Sequence, residues 1–245
     1  MSTKIDWCDE VWNPTTGCTK GCSYCYAKAF AERMAKNPNA KIAHKYRNGF
    51  TPTCHSESLT LPLKWKQPRR IFVDSMGDLF DPEIPFEFIH SVLATVALSC
   101  KQHTFMVLTK QPGRMMEYFK TLYDVPRSCE PIPNLWLGVS VTNPAEAAAF
   151  LPYLFNTPAA KRFVSLEPLQ RGVDLCGYLG NGRLDWVICG LMSGKFREIK
   201  SCSYEDVADL RDQCGVAGVP FYFKGWGSFR PGAQLDGREY REFPA

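Results

Sequence analysis

No apolar run in this 245-residue chain reaches the ~18 residues that a membrane-spanning helix needs. The opening residues MSTKIDWCDEVWN carry acids and lack the apolar stretch of a signal peptide. A cytoplasmic protein with no membrane partner is therefore expected. Near-identical repeats and low-complexity tracts are also missing, which excludes solenoids and fibrous architectures. Neither GxSxG nor HExxH occurs, so two common hydrolase signatures are absent. Gly190-Leu-Met-Ser-Gly194-Lys195-Phe196 has the flavour of a phosphate loop, but its glycines are one residue too close and Phe196 stands where Ser or Thr is needed. Asp74, Asp78 and Asp81 lack the D-x-D-x-D-G spacing of a calcium loop, and Asp81-Pro82 reads instead as a helix start.

What the chain does have is cysteine. There are eleven, an odd number in a chain too long for a disulfide-stapled miniprotein. Most stand alone in apolar surroundings. Cys100 closes a helical pattern and Cys189 lies in the run WVIC, as expected of buried small hydrophobes. Only Cys18, Cys22 and Cys25 form a group, at spacing C-x3-C-x2-C within TGCTKGCSYCYA.

Six β-rich runs recur through the chain: RRIFVDS (69–75), HTFMVLT (103–109), NLWLGVSV (134–141), KRFVSLE (161–167), LDWVICG (184–190) and VPFYFK (219–224). They start about 22 to 35 residues apart, as strand–helix units require. An earlier strand is expected within residues 5–13. Between the runs, residues 86–97 carry an apolar stripe at helical spacing. Asn143-Pro144 reads as a cap followed by proline at the first helical position. Ser203 with Asp206 reads as a second cap, and Gly215 as the stop of that helix. Such alternation predicts an α/β fold: one domain over 1–245, with a parallel sheet of six to seven strands curling towards a partial (β/α) barrel. The loops after its strands would build the site.

Charge is unevenly spread. From Lys28 to Arg70 ten Lys or Arg face two acids, so this segment is +8 and the remainder −4. Phe30, Tyr46, Phe50 and Trp65 interleave with the cations. Residues 37–66 read as a basic insertion after the first helix, which is either a solvated surface or a face for nucleic acid. Lys41, Lys45 and Arg47 are the cations expected to carry the second role.

Three clustered thiolates pose a ligand-count question. A structural zinc takes four ligands, and Cys8, Cys54 or His55 would have to supply the fourth. A [4Fe–4S] cluster normally takes one cysteine per iron, so three cysteines leave one iron open. The small Gly21 eases the turn that brings three sulfurs from one short loop to three corners of a cube.

The motif Cys18-x3-Cys22-x-Tyr24-Cys25, after a first strand, resembles the signature of radical S-adenosylmethionine (SAM) enzymes. WNPTTGCTKGCSYCYA, IFVDSMGDLF, VLTKQPGRM, LWLGVSVTN, VSLEPL, LDWVICG and LRDQCGVAGVPFYFKGWG together resemble the phage-encoded three-Cys-motif proteins, a poorly characterised branch. The likeness runs from about residue 7 to 228. It implies a partial barrel of the radical SAM type, with a [4Fe–4S] cluster and SAM as cofactors. One electron, delivered by a flavodoxin- or ferredoxin-like reductant, would split SAM to methionine and a 5′-deoxyadenosyl radical that takes hydrogen from a substrate. By position, Tyr24 would lie against the adenine. Ser75, Met76, Gly77 and Asp78 would hold the methionine amino group and Lys110 its carboxylate. Ser140 and Asn143 would hold ribose hydroxyls, and Glu167 would contact SAM or substrate. Where relatives often read GGESG, this chain reads Gly190-Leu-Met-Ser-Gly194, with no acid at Leu191 or Met192. Together with the basic insertion, the resemblance implies a nucleotide or nucleic-acid base as substrate, in phage DNA modification or repair. The alternative is a non-catalytic nucleic-acid-binding module that uses zinc or an iron–sulfur cluster as a clip.

Overall fold

The computed structural model describes residues 5–123, 130–180, 182–192, 202–227 and 232–245. Two compact units divide the chain, Met1–Trp136 and Leu137–Ala245. Each follows the same logic of apolar strand, polar turn and packed helix.

In the first unit, β1 (Glu10–Trp12) pairs in parallel with β4 (Arg70–Val73), which pairs in parallel with β5 (Thr104–Thr109). The registers Trp12↔Val73 and Val73↔Val107 align the carboxyl ends of these strands. Ile71, Val73, Phe105, Met106 and Val107 are all buried, because a parallel strand covered on both faces needs an unbroken apolar run rather than alternation. Between β1 and β4 come β2 (Thr15–Thr16), α1 (Tyr26–Ala35), α2 (Ala40–Lys45) and β3 (Thr53–Cys54). Two short 3-10 turns, Ser56–Ser58 and Leu61–Lys64, follow. The insertion is thus structured. Its β3 pairs antiparallel with β2, and its Ser58 carbonyl accepts a 2.8 Å bond from the buried Trp12 indole. Ala27, Ala31, Tyr46 and Met76 form a small core that joins α1 and α2, with Phe30, Ile42 and Phe50 packed against it.

The apolar stripe expected over 86–97 forms α3 (Phe86–Ala94) and then widens into a π turn, Thr95–Ser99. Asp81-Pro82 does not start this helix. Asp81 Oδ1 accepts from the Glu83 N–H in a local turn, and Pro85 occupies the cap position. α4 (Pro112–Tyr123) follows β5.

The second unit takes up β6 (Leu135–Val141), α5 (Pro144–Phe155), β7 (Lys161–Leu166), α6 (Cys176–Leu179), β8 (Trp186–Gly190), α7 (Tyr204–Ala217) and β9 (Phe221–Gly225). Its strands lie in chain order, and β7–β8 and β8–β9 are parallel. A short hairpin, β10 (Gln234–Leu235) with β11 (Arg238–Glu239), ends the chain. Among the described residues, seven of the eleven strands, β1 and β4 to β9, fall in the expected runs. Cys100 and Cys189 are fully buried, as their apolar settings predict. No helix among the described residues is long and apolar enough to cross a membrane.

Both expected caps form. Asn143 Oδ1 accepts from the Glu146 N–H at 3.1 Å, with Pro144 at the first position of α5. Ser203 and Asp206 make a reciprocal capping box on α7. That helix runs past Gly215 to Ala217. Gly218 ends it at φ 66°, because the left-handed residue of a C-terminal cap carries a steric cost for any side chain. Ser203→Ala should lower stability by ~1 kcal/mol, read as a drop in urea midpoint at unchanged slope.

Candidate functional site

The cysteine loop begins where β2 is tied to the insertion. Gly17 donates its N–H to the Met76 carbonyl at 2.9 Å, and Cys18 donates to the Phe50 carbonyl at 3.2 Å. Gly17 sits at φ 86°, and a Cβ there would lie 2.4 Å from the backbone of Thr51, so only glycine fits. Beyond it, Thr19 gives both its N–H (2.7 Å) and its hydroxyl (2.9 Å) to Oδ2 of the fully buried Asp81. Asp81 is therefore a loop anchor, a role its sequence setting did not announce.

The loop closes onto α1. Cys25 donates its N–H to the Cys22 carbonyl at 3.2 Å and caps the helix, its Sγ accepting from the Lys28 N–H at 3.4 Å. Cys18 Sγ accepts from the Lys20 N–H at 3.3 Å. The Lys20 N–H favours the anionic form of the Cys18 sulfur. Against this, burial, aided by the charges of Asp78 and Asp81, pushes the Cys18 thiol up to about 12. Cluster binding would then have to displace a firmly held proton. All three thiols are half-exposed.

Among the described residues, no group of three or more His, Cys, Asp or Glu side chains converges tightly enough to hold a metal ion. A zinc ion needs four ligands on one point. Two of the three side chains considered for a fourth place, Cys8 and His55, have other partners. The Cys8 thiol points to the Ile5 carbonyl, Cys54 lies on β3, and the buried His55 contacts the Thr16 hydroxyl at 2.8 Å. A cubane cluster makes a different demand, because each thiolate sits on its own iron and the sulfurs stay apart. Three half-exposed thiols on one pinned loop are the donor type, and the number, that a cluster with one open iron takes.

The carboxyl ends of β4 and β5 complete this region of the first unit. The buried Asp74, at φ 59°, accepts from the Thr15 N–H (2.9 Å) and hydroxyl (2.8 Å). The buried Asp78 accepts from the Phe80 N–H (3.0 Å), the Thr109 hydroxyl (2.6 Å) and the Lys110 N–H (2.8 Å). Its oxygens are thus committed to joining two strand ends, which makes Asp78 a positioning residue. Ser75 Oγ and the Met76 N–H both donate to Asn13 Oδ1, at 3.2 and 3.1 Å. The Ser75 carbonyl accepts from the Tyr26 hydroxyl at 2.6 Å. Gly77 makes a parallel bridge to Gly17, where close backbone approach leaves little room for a side chain. Lys110 Nζ lies 5.8 Å from the centre of the Tyr24 ring. The structure therefore brings the three cysteines, Tyr24, Ser75, Met76, Gly77, Asp78 and Lys110 onto neighbouring strand ends and loops. Asn13, Thr15, Thr19 and Tyr26 join them without having been singled out by their sequence.

In the second unit, Ser140 is buried near the end of β6. The Asn143 amide is used locally, its oxygen in the α5 cap and its Nδ2 on the Thr142 hydroxyl at 2.9 Å. Glu167, just past β7, forms an ion pair with Lys224 of β9. Gly190, between them on β8, leaves the space that pair occupies: a Cβ there would come within 3.3 Å of Lys224 Cβ and 3.5 Å of Glu167 Oε1. Of the stretch 190–196, residues 193–196 lie outside the described residues.

The insertion's cations are not equivalent. Lys41 and Arg47 are exposed, but Lys45 turns inward to the Asn13 carbonyl at 3.3 Å, and burial pulls its pKa down. The expectation that Lys45 belongs to a solvent-facing basic surface is thus corrected.

Burial is the main reason that the Asp74 carboxyl is raised to about 7, against the two Thr15 bonds, which lower it. The unfolded chain releases this proton near pH 4. Between pH 4 and 7 the folded state holds more protons, so stability falls as pH rises, by up to ~1.4 kcal/mol per pH unit. Asp74→Asn keeps a residue that tolerates positive φ and should flatten this slope in urea titrations at pH 5 and 7. An unchanged slope would contradict the assignment.

Comparison with curated proteins and with solved structures finds no significant match. A family model described as a protein of unknown function (DUF5131) matches residues 2–244, nearly the whole length, and the chain belongs to that family.

Proposed function

We propose that this chain is a radical SAM enzyme holding a [4Fe–4S] cluster on Cys18, Cys22 and Cys25. One observation carries the reading: three half-exposed thiols share a loop pinned at its base by Gly17 and Asp81 and closed by the N-terminus of α1. When bound, the cluster and SAM would supply an electron and a hydrogen-abstracting carbon centre, chemistry beyond any side chain. The protein's own contribution is placement. Tyr24 and Lys110 flank the loop with an aromatic face and a cation, suited to the adenine and the carboxylate of SAM. The backbone from Ser75 to Gly77, held by Asn13 and Gly17, offers polar groups to the amino end. Asp78 keeps β4 and β5 in step so that these groups stay in place. In the second unit, Glu167 is engaged in its ion pair with Lys224, and Asn143 serves its helix.

The partial barrel of the radical SAM type and a one-electron reductant of flavodoxin or ferredoxin type belong to the same proposal. The substrate we assign is a nucleotide or nucleic-acid base, supported by the exposed cations of α1 and α2.

Anaerobic reconstitution should load about four irons and four sulfides per chain. Dithionite and SAM should then yield 5′-deoxyadenosine and methionine. Cys22→Ala should lose most of the iron and all detectable deoxyadenosine. One zinc per chain with no SAM cleavage would favour the metal-clipped binding module instead.

A further inference from the structure

Tyr26, the residue after the third cysteine, is the most exposed aromatic residue among the described residues, at 59% of its surface. A tyrosine normally hides its ring and leaves its hydroxyl wet. Here the residue as a whole is exposed, and its hydroxyl is engaged as well. The hydroxyl is fixed on the Ser75 carbonyl at 2.6 Å, which holds the ring in one orientation while solvent reaches it. Phe30 and Arg33 follow at i+4 and i+7, so they share its side of α1. The Arg33 guanidinium lies 5.3 Å from the Phe30 ring centre.

Cations are frequent in this segment. Lys20, Lys28, Arg33 and Lys36 are exposed on the loop and α1, with Glu32 the one acid among residues 19–36. The α1–α2 core adds Lys41 and Arg47, also exposed, to the same packed module. Cations track a phosphate backbone, and an exposed flat ring takes the face of a base. Duplex base faces are covered by their neighbours, so only an unstacked base offers one.

We infer that α1 and α2 bind single-stranded nucleic acid, with Tyr26 stacking one base directly beside the cysteine loop. An acidic peptide would satisfy the cations but would make no use of a pinned, solvent-facing ring. This inference rests on the cysteine loop as the reactive centre and names the form of its substrate. Its test needs neither cluster nor SAM, so it fails or succeeds apart from that reading.

Fluorescence anisotropy of the full chain with a labelled oligothymidylate of about 15 nucleotides, within the usual site sizes of single-strand binders, measures the affinity. Binding should weaken steadily with added salt and be at least roughly tenfold tighter than to a hairpin duplex of the same charge. Tyr26→Ala should weaken it roughly tenfold, the effect of losing one base–aromatic stack. Tyr26→Phe should retain most of the affinity because the ring remains. Tyr153→Ala, which removes another exposed ring, should change nothing. Circular dichroism checks that each variant is folded. Duplex binding as tight as single-strand binding, an unaffected Tyr26→Ala, or a Tyr26→Phe as damaging as the alanine would each overturn the inference. So would full competition by poly-glutamate at equal charge.

Discussion

Buried carboxylates bound by threonines and backbone N–H groups hold the candidate site together. Asp74 takes both donors of Thr15, Asp81 takes both of Thr19, and Asp78 takes the Thr109 hydroxyl and two backbone N–H groups. A carboxylate taken from water costs several kcal/mol unless its lone pairs are filled. Each of these is filled by partners at least 30 residues from it in sequence, apart from the Phe80 and Glu83 N–H groups. The arrangement therefore fixes long-range geometry at the loops, where apolar contact alone is too non-directional to do so. Removing one partner would leave a buried charge exposed to that full cost, so the loops have few alternative positions.

This constraint explains what the sequence made legible. The strands were readable because burial on both faces demands continuous apolar runs, and LDWVICG or HTFMVLT admit little else. The caps at Asn143 and Ser203 were readable because capping is local chemistry between residues three apart. The site's supporting bonds were not. Asp74, Asp78 and Asp81 looked like a failed metal motif or a helix start, since nothing local reveals that their acceptors meet Thr15, Thr109 and Thr19 across the fold. Gly215 reads as the stop of α7, but Gly218 takes that place. Which of them takes positive φ is decided by where the helix runs out of packing partners, with Cys214 still buried in its last turn. Lys45 was counted as surface charge because composition cannot show that its ammonium reaches the Asn13 carbonyl.

The insertion has a second consequence. It is joined to the cysteine loop by the β2–β3 ladder, by the Phe50 carbonyl on Cys18 and by the contact of Gly17 with Thr51. A polyanion held on its cations would thus be held on the same packed module as the three thiols. Recognition and chemistry would share one local scaffold, and their spacing would not depend on a flexible linker. That arrangement suits a reaction in which a short-lived, indiscriminate hydrogen acceptor must meet its target at once.

The central claim is that three cysteines hold a cube with one iron open to an amino-acid chelate. Electron paramagnetic resonance of the reduced, reconstituted protein reads that iron directly. The account predicts a [4Fe–4S]-type signal whose g-values shift when SAM is added and do not shift with S-methylthioadenosine, which lacks the amino and carboxylate groups. A signal indifferent to SAM, or a metal site with no iron–sulfur signal at all, would contradict it.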